Sequence, residues 1–139
     1  MRIWHYALLP YLPDKQFKGQ LRELKLIMKD LETKGKINHL LINKVMDYPA
    51  EELNLYAALY SAEYFHRYGK SCNLSIKPCD FNYKKGCFPN WHDKDYLRVC
   101  MANLFEKWYY GRGNSRITDE EFLVLLDGYK NITGEEYQI

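Results

Sequence analysis

Few residues of this 139-residue chain stand at spacings that chemistry demands. A serine or cysteine nucleophile needs a base beside it, and no local signature such as G-x-S-x-G is present. Lys34-Gly35-Lys36 and Gly111-Arg112-Gly113 are too short to cradle a phosphate. Cys72, Cys79, Cys87 and Cys100 lack the paired C-x-x-C spacing of zinc and redox sites. Cys72, Cys79, Cys87 and His92 are ligand types that zinc accepts, but the irregular spacing favours reduced cysteines packed as small hydrophobes, and no metal is expected. His5 and His66, flanked by core-like aromatics, read as hydrogen-bonded structural groups. One nucleophile needs no motif, the α-amine of Met1. Its ordinary pKa of about 7.7 to 8 leaves a useful fraction neutral near physiological pH, able to attack an electrophilic carbon and form an imine. The bulk of Arg2 should hinder removal of Met1.

An amine at a chain end is useful only if that end is held. Aromatic and apolar residues from Ile3 onward imply that the N-terminal stretch is tied into the core. Residues 1 to 13 lead through Pro10 and Pro13 into a first helix expected over Asp14 to Glu32, where Phe17, Leu21, Leu24, Met28 and Leu31 recur at helical spacing. Lys15, Lys18, Arg22, Lys25 and Lys29 form a second stripe about 120° away, a basic face or simply a solvated one. From Gly35 to Tyr48 the period is lost, and Ile37, Leu40, Leu41, Ile42 and Val45 fit a helical turn or an extended piece equally well. Pro49 followed by Ala50, Glu51 and Glu52 starts a second helix reaching Tyr68, apolar on most sides and therefore central. Residues 69 to 92, with Gly69, Pro78, Gly86, Pro89 and the basic pair Lys84-Lys85, read as a long ordered loop of the kind that often carries function. Asp93 opens a third helix running to Gly111, and Thr118 with Glu121 caps a short fourth one. Asn131 to Ile139 read as a tail. No segment alternates as a strand. The expectation is an all-α, compact single domain over residues 1–139: three main helices, a short C-terminal helix and the long loop.

Composition narrows the function classes without choosing one. The formal charge of +2 is too small for a general polyanion binder, so a phosphate-facing surface must come from local clustering. Aromatic residues make up 16% of the chain, including 13 Tyr and 3 Trp, which serve in cores, interfaces and stacking surfaces alike. No apolar run is long enough to span a membrane, and Arg2, His5 and Pro10 interrupt any signal peptide. A soluble, cytoplasmic protein that does not engage membranes is expected.

Met1-Arg2-Ile3-Trp4, then Leu12 to Leu24 ending in Arg22-Glu23-Leu24, resembles the pyrimidine-dimer DNA glycosylase family, the endonuclease V type first known from a bacteriophage. Its bacterial branch is similar further along, in Gly35-Lys36-Ile37-Asn38-His39 and in the helix from Pro49 to Arg67-Tyr68-Gly69. The resemblance covers residues 1 to 70. Trp108-Tyr109-Tyr110-Gly111 is similar to the aromatic segment near the family's C-terminus, although here another helix follows; Leu26 stands where the phage-type enzyme has a second basic residue.

The resemblance implies a small all-α monomer without cofactor or metal, a bifunctional glycosylase and abasic-site lyase acting on cyclobutane pyrimidine dimers in duplex DNA. The Met1 amine would attack the sugar C1′ and Glu23 would stabilise the developing charge and assist proton transfers. Arg2 and Arg22 would bind phosphates or orient Glu23, with Lys25, Lys29 and His39 as further DNA contacts. Helix geometry places Glu23 with Gln16, Gln20 and Ile27, about 120° from the centre of the basic stripe, so the amine should approach the Gln20 and Glu23 edge and leave Lys15 and Lys18 peripheral. The rival reading is a non-catalytic helical domain of the same fold that binds nucleic acid or protein.

Overall fold

The computed structural model describes residues 2–40, 42–79, 85–111 and 113–139. Met1, Leu41, Lys84 and Arg112, singled out by the sequence, lie outside the described residues. Every regular element among those described is helical: α1 (Asp14–Lys34), α2 (Ala50–Tyr68), α3 (Lys94–Tyr109) and α4 (Asp119–Thr133), with 3-10 turns at Tyr6–Tyr11, Asn43–Asp47 and Gly113–Ser115. The all-α expectation holds. No helix among the described residues is long and apolar enough to cross a membrane.

The helix ends follow from local chemistry. Pro13 and Pro49 stand at the N-caps of α1 and α2, where a missing N–H costs nothing. Gly35, Gly69 and Gly134 close α1, α2 and α4 in the left-handed conformation, each donating its N–H back into the last turn. Asp93 caps α3 through Tyr96 N, and Thr118 with Glu121 forms the reciprocal capping box that the sequence announces for α4.

Two expectations need correction. The apolar pattern on α1 predicts a buried face through Leu21, Met28 and Leu31, but these are only half-buried, while Gln16 and Gln20 are buried beside Phe17, Leu24 and Ile27. The face is turned by about 50° toward the Glu23 flank. The cause is the N-terminal segment, which lies along that flank and covers it. Second, Asn131 to Ile139 is not a tail: α4 runs 15 residues to Thr133, Tyr137 packs on Tyr129 at 5.2 Å, and Lys94–Glu135 and Lys130–Glu136 pair at 3.0 and 2.8 Å. The long loop has no regular element among its described residues, as expected, and its residues 85–92 supply core. Cys87, Phe88, Trp91 and His92 are buried, and Gly86 adopts φ +70 with the Tyr6 ring where a Cβ would stand. Residues 69–79 have no regular structure and are tied to α2 by Asn54, which bonds both polar groups of the Lys77 backbone at 2.8 and 3.0 Å.

Around α2 the core is aromatic. Tyr60 stacks on Phe17 at 4.4 Å and donates to the Phe17 carbonyl at 2.7 Å, fixing α1 to α2. Arg67 stands over the Phe17 ring at 4.1 Å and pairs with Glu63 and Asp14.

Candidate active site

The N-terminal segment is extended and has no neighbouring strand, so side chains satisfy its backbone. Arg2 N donates to Glu23 Oε2 at 2.8 Å, and Arg2 O accepts from Gln20 Nε2 at 2.9 Å. Ile3 O accepts from Tyr96 at 2.6 Å; Trp4 N donates to Gln20 Oε1 at 2.8 Å, and Trp4 O accepts from Tyr56 at 2.6 Å. Burial pushes the phenols of Tyr56 and Tyr96 upward, which keeps both hydroxyls protonated as donors. Ile3 is fully buried and Trp4 nearly so, which answers why apolar residues begin at position 3. Arg2 lays its guanidinium over the Trp4 ring at 5.8 Å.

Glu23 is half-buried on α1, at the rim of an open groove of about 530 Å³. Trp4, Gln16, Gly19 and Glu23 line one side of it together with Lys15, Lys18 and Arg22; Lys107 and Ser115 come from α3 and the turn before α4. The far wall is fastened to α1 by Gln16 Nε2, which donates to Ser115 O at 2.8 Å. Lys15, Lys18, Arg22 and Lys107 make no ion pair among the described residues, although Lys18 stands over the Tyr68 ring at 5.3 Å, so four cations line a groove that holds one carboxylate. Such a surface favours a polyanion.

Of the residues named from the sequence, Arg22 and Glu23 line this groove, and Arg2 is joined to Glu23 through its backbone N–H. Met1 lies outside the described residues. Lys25 and Lys29 are exposed further along α1 and do not line the groove. His39 stands in the connection after α1, its N–H bonded to Asn43 Oδ1 at 2.9 Å and its buried Nδ1 without a partner among the described residues. Lys15 and Lys18 correct the helix-wheel argument. They are not peripheral but line the same groove as Glu23. On the outward side of α1 only Gly19 separates them from Glu23, and with no side chain there the two stripes share one depression. Gln20, Tyr56, Tyr96 and Lys107 are not among the site residues that the sequence nominates. Gln20 left a trace in its place beside Glu23 on the helix wheel, whereas Lys107 left none.

The remaining chemistry-bearing residues are dispersed. His5 is buried and accepts from Ala7 N at 3.1 Å; burial lowers its pKa to about 4. His66 is exposed on α2, not held in the core. Cys72 contacts Ser61 at 3.0 Å, Cys79 is exposed, and burial raises the Cys87 thiol. No group of three or more potential metal ligands assembles among the described residues.

Comparison with curated proteins and with solved structures returns no match. The family model for pyrimidine dimer DNA glycosylase matches residues 1–75, which takes in the clamped N-terminal segment, the whole of α1 with Arg22 and Glu23, and α2 with Tyr56. A match over more than half of the chain, laid on the part that builds the carboxylate edge of the groove, identifies it: the chain belongs to the pyrimidine dimer DNA glycosylase family.

Proposed function

We propose that residues 1–139 act as one cytoplasmic, monomeric unit that removes the base from cyclobutane pyrimidine dimers in duplex DNA and then cleaves the strand, with the Met1 amine as nucleophile and Glu23 as its acid–base partner. The observation that carries this reading is the 2.8 Å bond from Arg2 N to Glu23 Oε2. That bond holds residue 2 against the carboxylate that the scheme uses. The Glu23 Oε1 atom has no partner among the described residues and is available to the reaction.

The chemistry follows from these two groups. The neutral amine gives its lone pair to the sugar C1′ while the bond from C1′ to the base nitrogen breaks; its electron pair leaves with the base, which takes a proton. Loss of the amine proton and opening of the C1′–O4′ bond yield an imine. Glu23 stabilises the cationic carbon and carries protons between amine, ring oxygen and C2′. With the imine as electron sink, loss of the C2′ proton expels the 3′ phosphate, and water then hydrolyses the imine to free the amine. Imine formation itself activates the sugar, so the scheme needs no metal. Lys15, Lys18, Arg22 and Lys107 hold the phosphates along the groove, Arg2 lies at its end, and Lys25, Lys29 and His39 extend the contact surface.

Borohydride reduction tests the scheme. With duplex DNA containing a thymine dimer or an abasic site, the protein should form a covalent adduct whose peptide map places the DNA on Met1. An adduct that persists when residues are added ahead of Met1 assigns the nucleophile to a lysine instead. Binding without any adduct leaves a non-catalytic nucleic-acid domain.

A further inference from the structure

Gln20 is among the most deeply buried polar residues of the protein, at 1% exposure, and it belongs to none of the groups assigned above. A side-chain amide has two donor hydrogens and an acceptor oxygen with two lone pairs. All four are used. Nε2 donates to Arg2 O at 2.9 Å and to Glu23 Oε2 at 3.3 Å; Oε1 accepts from Trp4 N at 2.8 Å and shares the Tyr56 hydroxyl at 3.1 Å. In an extended chain the carbonyl of one residue and the N–H two residues later point to the same side. Gln20 therefore grips Arg2 and Trp4 as the backbone of a neighbouring strand would, in a protein with no strand among the described residues.

This arrangement reads register. A slip of the segment by one residue would turn the bonded carbonyl and N–H to the opposite side, and a slip of two would move the chain by about 7 Å. The same amide holds the Glu23 carboxylate, so one side chain links the position of residue 2 to the position of the acid. We propose that Gln20 is a positioning residue that locks the register of the N-terminal segment against Glu23 and thereby determines which residue's nitrogen reaches the reacting carbon. The inference rests on the reading above that the Met1 amine is the nucleophile.

The test crosses two changes in the full-length protein: Gln20→Met, which keeps the volume and removes the amide, and one additional residue ahead of Met1. The readouts are the single-turnover rate of borohydride trapping on abasic duplex DNA and the Kd for that DNA. Misplacement by about 1 Å can cost about 100-fold, so Gln20→Met should slow trapping about 10- to 100-fold, and the extension alone by about 100-fold or more. The Kd should stay within about 2-fold in Gln20→Met, because the groove cations are untouched. The decisive result is coupling: adding the extra residue to Gln20→Met should slow it by no more than about 3-fold further, since a segment without its lock can slide to compensate. Losses that multiply, a wild-type trapping rate in Gln20→Met, or an equal loss in rate and binding each overturn the inference. Should Gln20→Met fail to melt cooperatively, Gln20→Asn, which keeps the amide one methylene short, carries the same comparison. A wild-type protein that forms no adduct overturns the proposed function itself, an outcome distinct from an adduct indifferent to Gln20.

Discussion

Two buried polar clusters grip the same short N-terminal segment, and they are built in opposite ways. At Arg2 to Trp4 the amide of Gln20 has every hydrogen-bonding position filled, and it bonds Glu23, which lines the groove. Directly after Trp4, His5 stacks on His92 at 5.2 Å within a ring of aromatics that includes Tyr6, Tyr56, Phe88, Trp91 and Tyr96. There His92 accepts from Tyr6 N at 3.1 Å, while its Nε2 is buried with no partner among the described residues. The first cluster aligns hydrogen bonds on a carboxylate that reaches solvent. The second excludes water from two imidazoles and holds both neutral. A saturated network fixes geometry, whereas an incompletely satisfied one costs stability and responds to protons. Under the proposed function, the Gln20 side serves the chemistry and the histidine side the anchoring.

The strongest way to break this division is to exchange the expected consequences. Glu23→Gln should lower turnover on abasic DNA about 1,000-fold, equivalent to about 4 kcal/mol, with the melting temperature nearly unchanged. His92→Phe should do the reverse, lowering the melting temperature while leaving turnover of the folded protein within about 3-fold. Equal kinetic losses in the two variants would erase the distinction.

Acid titration probes the histidine side alone. Both imidazoles have lowered pKa values in the folded protein, His5 to about 4 through burial, and His92 through burial first and the neighbouring His5 second. Unfolded, each titrates near 6.5. Above that pH both are neutral in either state and nothing is lost. Below it the unfolded chain takes up protons that the folded one refuses, so stability falls from about pH 6.5 to about pH 4, by roughly 3 kcal/mol at most for His5. Melting curves across this window should show the decline; a flat profile counts against neutral burial of the pair.

Smaller effects sharpen the picture. Tyr56→Phe removes a fully buried donor and leaves the Trp4 carbonyl short of a partner, costing about 1 to 2 kcal/mol in urea denaturation; Tyr96→Phe, at a partly buried site, should cost less. If the two cost the same, depth of burial is not what ranks them. Lys107→Ala should leave stability within about 0.5 kcal/mol and reduce the slope of log affinity against log salt by about 1, the mark of one lost phosphate contact.

Much of the architecture was legible because its determinants are local. Pro13 and Pro49 start helices, Gly35 and Gly69 end them, and Thr118 with Glu121 forms a cap, all through contacts between residues a few positions apart. The carboxylate was legible too, since Arg22-Glu23 on a helix behind Arg2-Ile3 carries the family resemblance, and the match over residues 1–75 agrees with it. Periodicity misjudged the buried face of α1 for a physical reason: it assigns polar residues outward, whereas the amides of Gln16 and Gln20 are buried as donors to the carbonyls of other segments, Ser115 and Arg2.

By itself, the sequence determined the helices, their ends and an acidic residue on the first of them, because such features depend on neighbours within a turn or two of chain. Only the tertiary structure decided what surrounds that acid. Gln16 meets Ser115 across 99 residues, Tyr96 reaches Ile3 across 93, and Tyr56 reaches Trp4 across 52. Contacts at such separations leave no spacing to read. They arise from which faces are buried against each other, and it is this packing that brings Lys107 into the groove and turns the amide of Gln20 into the partner of a solitary extended segment.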